Sequence, residues 1–458
     1  MQQQPRLPLW FLAANWALIA GAFVWGLWLG EHRGNGALVG ALPEKQVEAL
    51  AIVHREILRS HVDPQRADHL LERAIAGMVK GLDPYSRYVP PAEVANYEEA
   101  NTGHYQGIGA EFHVHGDDVV LHFPLAGGPA EQAGLQPGDL LVAVDDTPLD
   151  SLERRTRVVD LVRGPADTDV RLTLRRDGAP LTVTLRRADV QRSCVKWTHF
   201  VAPEAGLGYL HLTDFHPGAC DRVLAAIASL QASQPLRGLI LDLRWNGGGS
   251  LEECVNIARA FVRSGLIVSQ QRRDSEVVER HEAKAEQCLH PDLPLVLLVN
   301  EHSASASEVL AGALQDHGRA AIVGARTHGK AFVNTVYTWQ DQPFRLKLTT
   351  GRYRTPNGRD IERHHHANAP TTADAGGIPP DVAVALPELL AVAVAATLRA
   401  SEVPAASRET FAAVAARYGV KVNAPPKPDA DAQLAAAIKT LQERAHDLAG
   451  DGGPSKDK

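Results

Sequence analysis

The chain has 458 residues, 45% of them hydrophobic and 22% charged, which is ordinary for a globular protein. The formal net charge of −7 gives no indication of a nucleic-acid partner. The four cysteines form no CxxC pair, which argues against a zinc site or a thioredoxin-type motif.

The N-terminal segment Leu7–Gly30 contains no charged residue. Its length is close to the about 20 apolar residues that a membrane-spanning helix needs. Arg6 and the amino terminus precede it, which favours a cytoplasmic N-terminus. We therefore predict a signal anchor over residues 1–30, with the remainder outside the cytoplasm. The alternative is a signal peptide that is removed near Val39–Ala41.

Residues 44–100 are predicted to be helical. EKQVEALAIVHREILRSHV and DHLLERAIAGMVKGL carry apolar residues at helical spacing, and the turn-rich segment DPYSRYVPP interrupts the pattern.

From about residue 103 to 190, short β-rich segments alternate with glycine turns. The segment PAEQAGLQPGD indicates a short helix and then a turn that leads into a buried strand. This region resembles a PDZ domain. PDZ domains add a peptide strand to a sheet edge and hold its terminal carboxylate on backbone amides. The matching loop is Gly107, Ile108, Gly109 and Ala110, and the alternative is an ordinary tight hairpin.

From about residue 191 to 385, strands and helices alternate, which predicts an α/β layer with a largely parallel sheet. The motifs RWNGGGS and SASASE each follow a buried strand, at the end where such sheets bind ligands. The region after Pro387 is alanine-rich and helical, with a proline-containing linker and a final DGGPSKDK that we expect to be disordered.

SASASE spans residues 303–308 and has two interpretations. Ser305 and Glu308 fit the S-x-x-E capping box that begins a helix. Ser305 is also a candidate nucleophile, which would need a base.

Lys330 is the candidate base. Gly324–Lys330 fits the first seven positions of a P-loop, but the next residue is Ala331 instead of Ser or Thr, and a strand pattern follows instead of a helix. A nucleotide hydrolase is therefore not favoured. Burial could lower the pKa of a lysine enough for it to accept a serine proton.

Together these motifs resemble the carboxyl-terminal processing proteases, which are periplasmic or lumenal Ser/Lys endopeptidases. The resemblance covers about residues 44–385 and includes GLDPYSRY, PAEQAGLQPGD, DLRWNGGG, SASASE, GRYRTPNGRDIE and IPPD in the family's order. It implies Ser305 as nucleophile, Lys330 as base, and the amides of Ala306 and Gly248 as oxyanion donors.

The chain departs from the family pattern beside the lysine. Ala331 follows Lys330, and the fourth position after it is Asn334, where the family often has an orienting glutamine. We expect Asn334 to take that role, because it carries the same donor and acceptor groups. Asp316 is interpreted as a surface residue, and His364–His366 as a solvated insertion rather than a metal site.

The resemblance implies a single-pass protein of the inner membrane whose catalytic part lies in the periplasm. Its partners would be protein or peptide substrates with free C-termini, without metal or cofactor. A homo-oligomer or an activating adaptor remains open. The rival hypothesis is an inactive PDZ scaffold, which the presence of both Ser305 and Lys330 disfavours.

The predicted division of the chain is a signal anchor at 1–30, a helical N-terminal region at 31–102, a mainly-β PDZ domain at 103–190, an α/β ClpP/crotonase-like protease core at 191–385, and a helical C-terminal extension at 386–458.

Overall fold

The structure is a computed structural model that describes residues 43–272, 276–363 and 376–450. The chain divides into two compact units, one ending at Tyr88 and one beginning at Val89. The predicted anchor, the histidine run 364–366 and the final eight residues lie outside the described residues.

The first unit contains two helices, α1 (Glu44–Ser60) and α2 (Ala67–Lys80). A turn follows in which the Asp83 carboxylate accepts hydrogen bonds from the amides of Tyr85 and Ser86, at 2.7 and 2.8 Å. This side chain makes the DPYS segment a turn, as the sequence predicts.

The second unit opens with a helix that the sequence placed in the N-terminal region. In the sequence, β1 (Arg87–Val89) spans the division after Tyr88, and α3 (Pro91–Thr102) follows it. Within the unit, Glu99 of α3 accepts two hydrogen bonds from Arg163 and Glu98 pairs with Arg345. These ion pairs attach α3 to the second unit.

The β-rich region contains a sheet in the order β3-β4-β5-β7-β8, with β6 paired to β5. Its strands are β3 (Ala110–His115), β4 (Asp118–Pro124), β5 (Leu140–Val144), β6 (Thr147–Pro148), β7 (Asp169–Arg176) and β8 (Ala179–Arg186). Three short helices, α4 (Pro129–Gln132), α5 (Leu152–Thr156) and α6 (Val158–Val162), lie between strands. β2 (His104–Gly107) pairs antiparallel with β9 (Ala188–Gln191), which joins the beginning and end of the region.

A second sheet has the order β10-β11-β12-β15-β16-β19. β10 is antiparallel to β11, and the remaining pairs are parallel. The strands are β10 (Val195–Ala202), β11 (Leu207–Leu212), β12 (Gly238–Asp242), β15 (Leu295–Val299), β16 (Ala321–Gly324) and β19 (Val382–Ala383). Every residue of β11, β12, β15 and β16 is buried, as expected for parallel strands covered on both faces.

Three helices connect these strands: α7 (Ala219–Ser233), α8 (Leu251–Phe261) and α9 (Ala306–Asp316). The Ser250 side chain accepts a hydrogen bond from the Glu253 amide and so caps α8. A further sheet contains β13 (Gly265–Gln271), β14 (Val277–Ala283), β17 (Phe332–Trp339) and β18 (Gln342–Arg354). In it, β13 pairs with β14 and β18, and β17 pairs with β18.

The C-terminal helices α10 (Glu388–Arg399), α11 (Arg408–Tyr418) and α12 (Ala432–Gly450) pack onto the two large sheets. Phe411 of α11 packs on Val120 and Phe123 of β4. Leu434 and Leu441 of α12 share a core with the parallel sheet. The sequence predicted this helical tail but not that it would be part of the core.

A buried ion-pair network fixes α12 to the sheet. The fully buried Arg244, just after β12, donates to Asp242 at 2.7 Å and to Asp431 at 3.0 Å. The Tyr209 hydroxyl also donates to Asp242, at 2.7 Å. A buried arginine needs this degree of pairing to offset its desolvation.

Among the described residues, no helix combines the length and the apolar character required to cross a membrane.

Candidate active site

Ser305 lies at the junction between a strand and a helix. β15 ends at Val299 and α9 begins at Ala306, so Ser305 is the last residue before the helix. Its backbone has φ 57° and ψ −115°, which is unusual for a residue with a Cβ atom. Such backbone strain at a strand-to-helix turn is found where a nucleophile is presented.

The neighbouring serines are engaged in the fold. The Ser303 hydroxyl donates to the carbonyl of Leu243 at 2.8 Å and accepts from the amide of Asn300 at 3.0 Å. The Ser307 hydroxyl donates to the carbonyl of Asn246 at 2.9 Å. Ser303 and Ser307 therefore stabilise the turn and the start of α9.

Glu308 connects the serine turn to the lysine turn. Its buried carboxylate accepts from the Ser305 amide at 2.9 Å and from the Lys330 amide at 2.8 Å, both on Oε2. The two backbone nitrogens are therefore no farther apart than these two bond lengths together. Its Oε1 accepts from the Thr327 hydroxyl and the Gly329 amide, both at 2.6 Å. Burial raises the pKa of Glu308, while these hydrogen bonds act in the opposite direction.

Lys330 follows a tight turn and is half-buried. Gly329 before it has φ 88°, and a Cβ there would lie 2.8 Å from Cβ of Arg363, so glycine is required. The chain continues into β17 at Phe332, and no helix begins at this point. The helix that a P-loop needs is therefore absent from these described residues.

The predicted oxyanion donors lie beside Ser305. A Cβ on Gly248 would be 2.8 Å from Cβ of Ser305 and 3.0 Å from the nitrogen of Ala306. However, the Gly248 amide already donates to Oδ1 of Asn246 at 2.8 Å. The Ala306 amide has no hydrogen-bond acceptor among the described residues, so it is the better-placed donor of the two.

Asn334 lies on β17, where its Nδ2 donates to the Thr349 hydroxyl at 3.1 Å. Its role in orienting Lys330 stays a prediction. Asp316, at the end of α9, pairs with Arg359 at 2.6 Å and accepts from the Asn357 amide at 2.9 Å. Its side chain is only 4% exposed, so its interpretation as a surface residue was wrong.

The Gly107–Ala110 loop is a turn whose carbonyls are held by neighbouring amides. Gly109 has φ 68°. The carbonyl of Ile108 accepts from Ala130 and that of Gly109 accepts from Leu125, both at 2.8 Å. Because each peptide unit is trans, the amides of Gly109 and Ala110 are directed away from these partners.

A cavity of about 670 Å³ extends from this loop between β3 and α6. β3 is at one end of its sheet order, so among the described residues it pairs with another strand on one side only. Both apolar and charged side chains line the cavity. The apolar ones include Ile108, Phe112, Leu125, Val159 and Val162, and the charged ones include Glu111, Arg163, Lys196 and Arg399.

The chain is similar in sequence to known proteins. The model of peptidase family S41 matches residues 206–384, and a PDZ domain model matches residues 124–176. A carboxy-terminal-processing protease of Bartonella bacilliformis is 34% identical over 323 residues, covering 69% of this chain and 73% of the relative. The chain belongs to peptidase family S41.

Other matches to this S41 peptidase also cover most of both chains. A probable CtpA-like serine protease of Staphylococcus haemolyticus is 30% identical over 418 residues, covering 89% of this chain and 79% of that protein. Among solved structures, a photosystem II D1 C-terminal processing protease is 32% identical and covers 75% of this chain and 94% of its own, with a TM-score of 0.41. The chain is accordingly a serine-type peptidase with a PDZ domain.

Two groups in the S41 peptidase were missed from the sequence. Glu308 was read only as a helix cap, although the isolated acid inside the otherwise apolar helix pattern SEVLAGAL was a signal of burial. Asn246 was not singled out, yet its side chain accepts from Gly248 and donates to the carbonyl of Leu212 at 2.9 Å. Its position inside the NGGG turn was the available signal.

Proposed function

We propose that Ser305 and Lys330 form the catalytic dyad of this peptidase. The observation that carries the proposal is the pair of hydrogen bonds from the Ser305 and Lys330 amides to the same oxygen of Glu308. The strained backbone of Ser305 also supports it, since strain of this kind persists only where the surroundings enforce it.

In this mechanism the Ser305 oxygen attacks the carbonyl carbon of the scissile peptide while neutral Lys330 accepts the hydroxyl proton. Lys330 then gives that proton to the leaving amine, and an ester to Ser305 remains. Water hydrolyses the ester, again with Lys330 as base, and Ser305 recovers its proton. The reaction requires no metal or cofactor in this proposal.

The Ala306 amide is the first oxyanion donor in this proposal, since it begins α9 and lies at the positive end of the helix dipole. Gly248 is the second donor. Its N–H would have to turn from Asn246 toward the substrate as the substrate binds.

Substrates are proposed to be selected by their C-terminal tails, as the names of the carboxy-terminal-processing relatives suggest. The amides of Gly109 and Ala110 would hold the carboxylate, and Ile108 and Val162 would contact an apolar last side chain. Gly107, where β2 ends, completes this loop.

The finer architecture and the location are part of the proposal. We propose a ClpP/crotonase-like core at residues 191–385, a PDZ domain at 103–190 and helical regions on either side. Residues 1–30 would anchor the protein in the inner membrane, or be removed as a signal peptide, with the catalytic part in the periplasm. A homo-oligomer or an activating adaptor is a further proposed partner.

The test is to incubate the full-length protein in detergent with an unfolded protein that has a free apolar C-terminus. We expect fragments with the wild type and none with Ser305→Ala. A fluorophosphonate probe should label the wild type at Ser305. Cleavage by Ser305→Ala at the wild-type rate would refute the assignment.

A further inference from the structure

Glu362 is a buried carboxylate beside the lysine turn. It follows β18 in the segment Asp360–Arg363 and is 4% exposed. Its Oε2 accepts a hydrogen bond from the amide of Ala331 at 2.7 Å. Ala331 is completely buried and is the residue directly after Lys330.

Together with Glu308, Glu362 holds three consecutive backbone amides. Gly329 and Lys330 donate to Glu308 at 2.6 and 2.8 Å, and Ala331 donates to Glu362. Hydrogen bonds to ionised acceptors are shorter and stronger than neutral ones. The backbone of Lys330 is therefore fixed on both sides, and its side chain starts from a defined position.

We propose that Glu362 is a positioning residue for Lys330, acting through the Ala331 amide. The proposal rests on the Ser305/Lys330 dyad proposed above. Glu308 bonds to both the Lys330 amide and the Ser305 amide, and so connects the two turns. Glu362 bonds to the next amide and prevents the lysine turn from rotating about this connection. The effect on catalysis would appear in the chemical step, because a small displacement of a catalytic group is costly there.

The position of this carboxylate is unfavourable for the fold. Burial is the main cause that raises the pKa of Glu362 to about 7, and the carboxylates of Asp360 on its own segment and Glu308 on α9 contribute to this rise. The Ala331 amide and Arg352 on β18 act in the opposite direction. Such a raised pKa means that the folded state binds more protons than the unfolded state between about pH 4.5 and 7. Stability therefore falls as the pH rises through this window, and a neutral glutamine should remove that loss.

The experiment compares Glu362→Ala and Glu362→Gln in the full-length protein, with kcat and KM measured on one peptide from pH 5.5 to 9.5. Glu282→Gln, an exposed carboxylate on β14, is the matched control. Ser305→Ala and Lys330→Ala are measured in parallel. Loss of activity in both would support the dyad independently of Glu362.

We expect Glu362→Ala to lower kcat by about 10–100-fold with KM nearly unchanged, as for the loss of support behind a catalytic group. Glu362→Gln should recover most of kcat at pH 9, since its amide oxygen can still accept from Ala331. The acid limb of its kcat–pH profile should depend on one proton fewer than that of the wild type. Its Tm at pH 8 should be higher than that of the wild type.

Wild-type kcat in Glu362→Ala, alongside an inactive Lys330→Ala, would overturn the positioning role and leave the dyad intact. If Glu362→Ala does not fold, the pH profile of Glu362→Gln decides: an unchanged acid limb overturns the proposal. Equal loss of kcat and Tm in both variants would indicate a purely structural residue and would also overturn it.

Discussion

The catalytic centre and the PDZ groove are constructed differently. At the centre, buried polar side chains are held mainly by backbone groups: Glu308 accepts four hydrogen bonds, three of them from amides, and the Ser303 and Ser307 hydroxyls donate to carbonyls. The groove is lined by backbone together with apolar and charged side chains. Catalysis requires the reacting atoms to be held in fixed positions, whereas a groove that binds peptide C-termini can tolerate small displacements of its side chains. Substitutions should therefore have large effects at the centre and graded effects at the groove.

The largest effect is expected from Glu308→Ala. It leaves the amides of Ser305, Gly329 and Lys330 without their acceptor and releases the two turns from each other. We expect kcat to fall by at least about 10²–10³-fold. Unfolding free energy should fall by about 3 kcal/mol, because buried donors lose their partner. Peptide cleavage and urea unfolding measure both, and wild-type kcat in a folded variant would contradict the account.

A smaller effect is expected at Asn334. If it orients Lys330, Asn334→Ala should lower kcat by about 10–100-fold, as for lost support behind a catalytic group. Asn334→Gln should retain much of the activity. Thr349→Val, which removes the acceptor of Asn334 Nδ2, is the control for a merely structural contact. Equal rates for Asn334→Ala and wild type would leave Asn334 as a plain strand residue.

At the groove, amidation of a substrate's C-terminus should slow cleavage by about tenfold or more. The change removes charge-assisted hydrogen bonds to the Gly109 and Ala110 amides, each worth about 1.5–3 kcal/mol. kcat/KM for free-acid and amidated versions of one peptide measures this. A small activated ester should react at the same rate in the presence of either peptide if the domain only tethers. Equal cleavage of the two peptides would deprive the PDZ domain of its proposed role.

The smallest effect concerns a histidine cluster on β3 and β4, of which His113 lines the groove. The rings of His113 and His122 stack with centroids 3.9 Å apart, and His115 Nε2 lies 2.9 Å from His122 Nε2. Burial, with His113 and His115, lowers the pKa of His122 to about 4. The unfolded state therefore binds more protons between about pH 6.5 and 4, and stability falls as the pH falls through that range.

Thermal unfolding from pH 7.5 to 4.5 should show this loss, and His122→Phe should reduce it. If Tm depends on pH in the same way in His122→Phe and in the wild type, His122 is not the cause of the loss of stability. The nearby carboxylates of Glu111 and Asp118 are present in both the wild type and His122→Phe, so a difference between the two proteins reports on His122.

The local features of this fold were predictable from the sequence, and the long-range partners were not. Strand and helix patterns indicated β15 and α9, and the motif order indicated Ser305 and Lys330. No local signal pairs Arg244 with Asp431, which is 187 residues away, or packs α11 on the β4 strand. Likewise, the sequence suggested the Gly248 amide as an oxyanion donor but could not indicate that Asn246 accepts its hydrogen bond.

The central claim is that Ser305 and Lys330 act as one catalytic unit. The most direct measurement is kcat/KM on one free-acid peptide for Ser305→Ala, Lys330→Ala and the double variant. We expect each single variant to lose at least about 10³-fold and the double variant to be no worse, because residues that act together have non-additive effects. Lys330→Arg should be equally inactive, since a guanidinium stays protonated. Single losses that multiply in the double variant, or an active Lys330→Arg enzyme, would contradict the dyad.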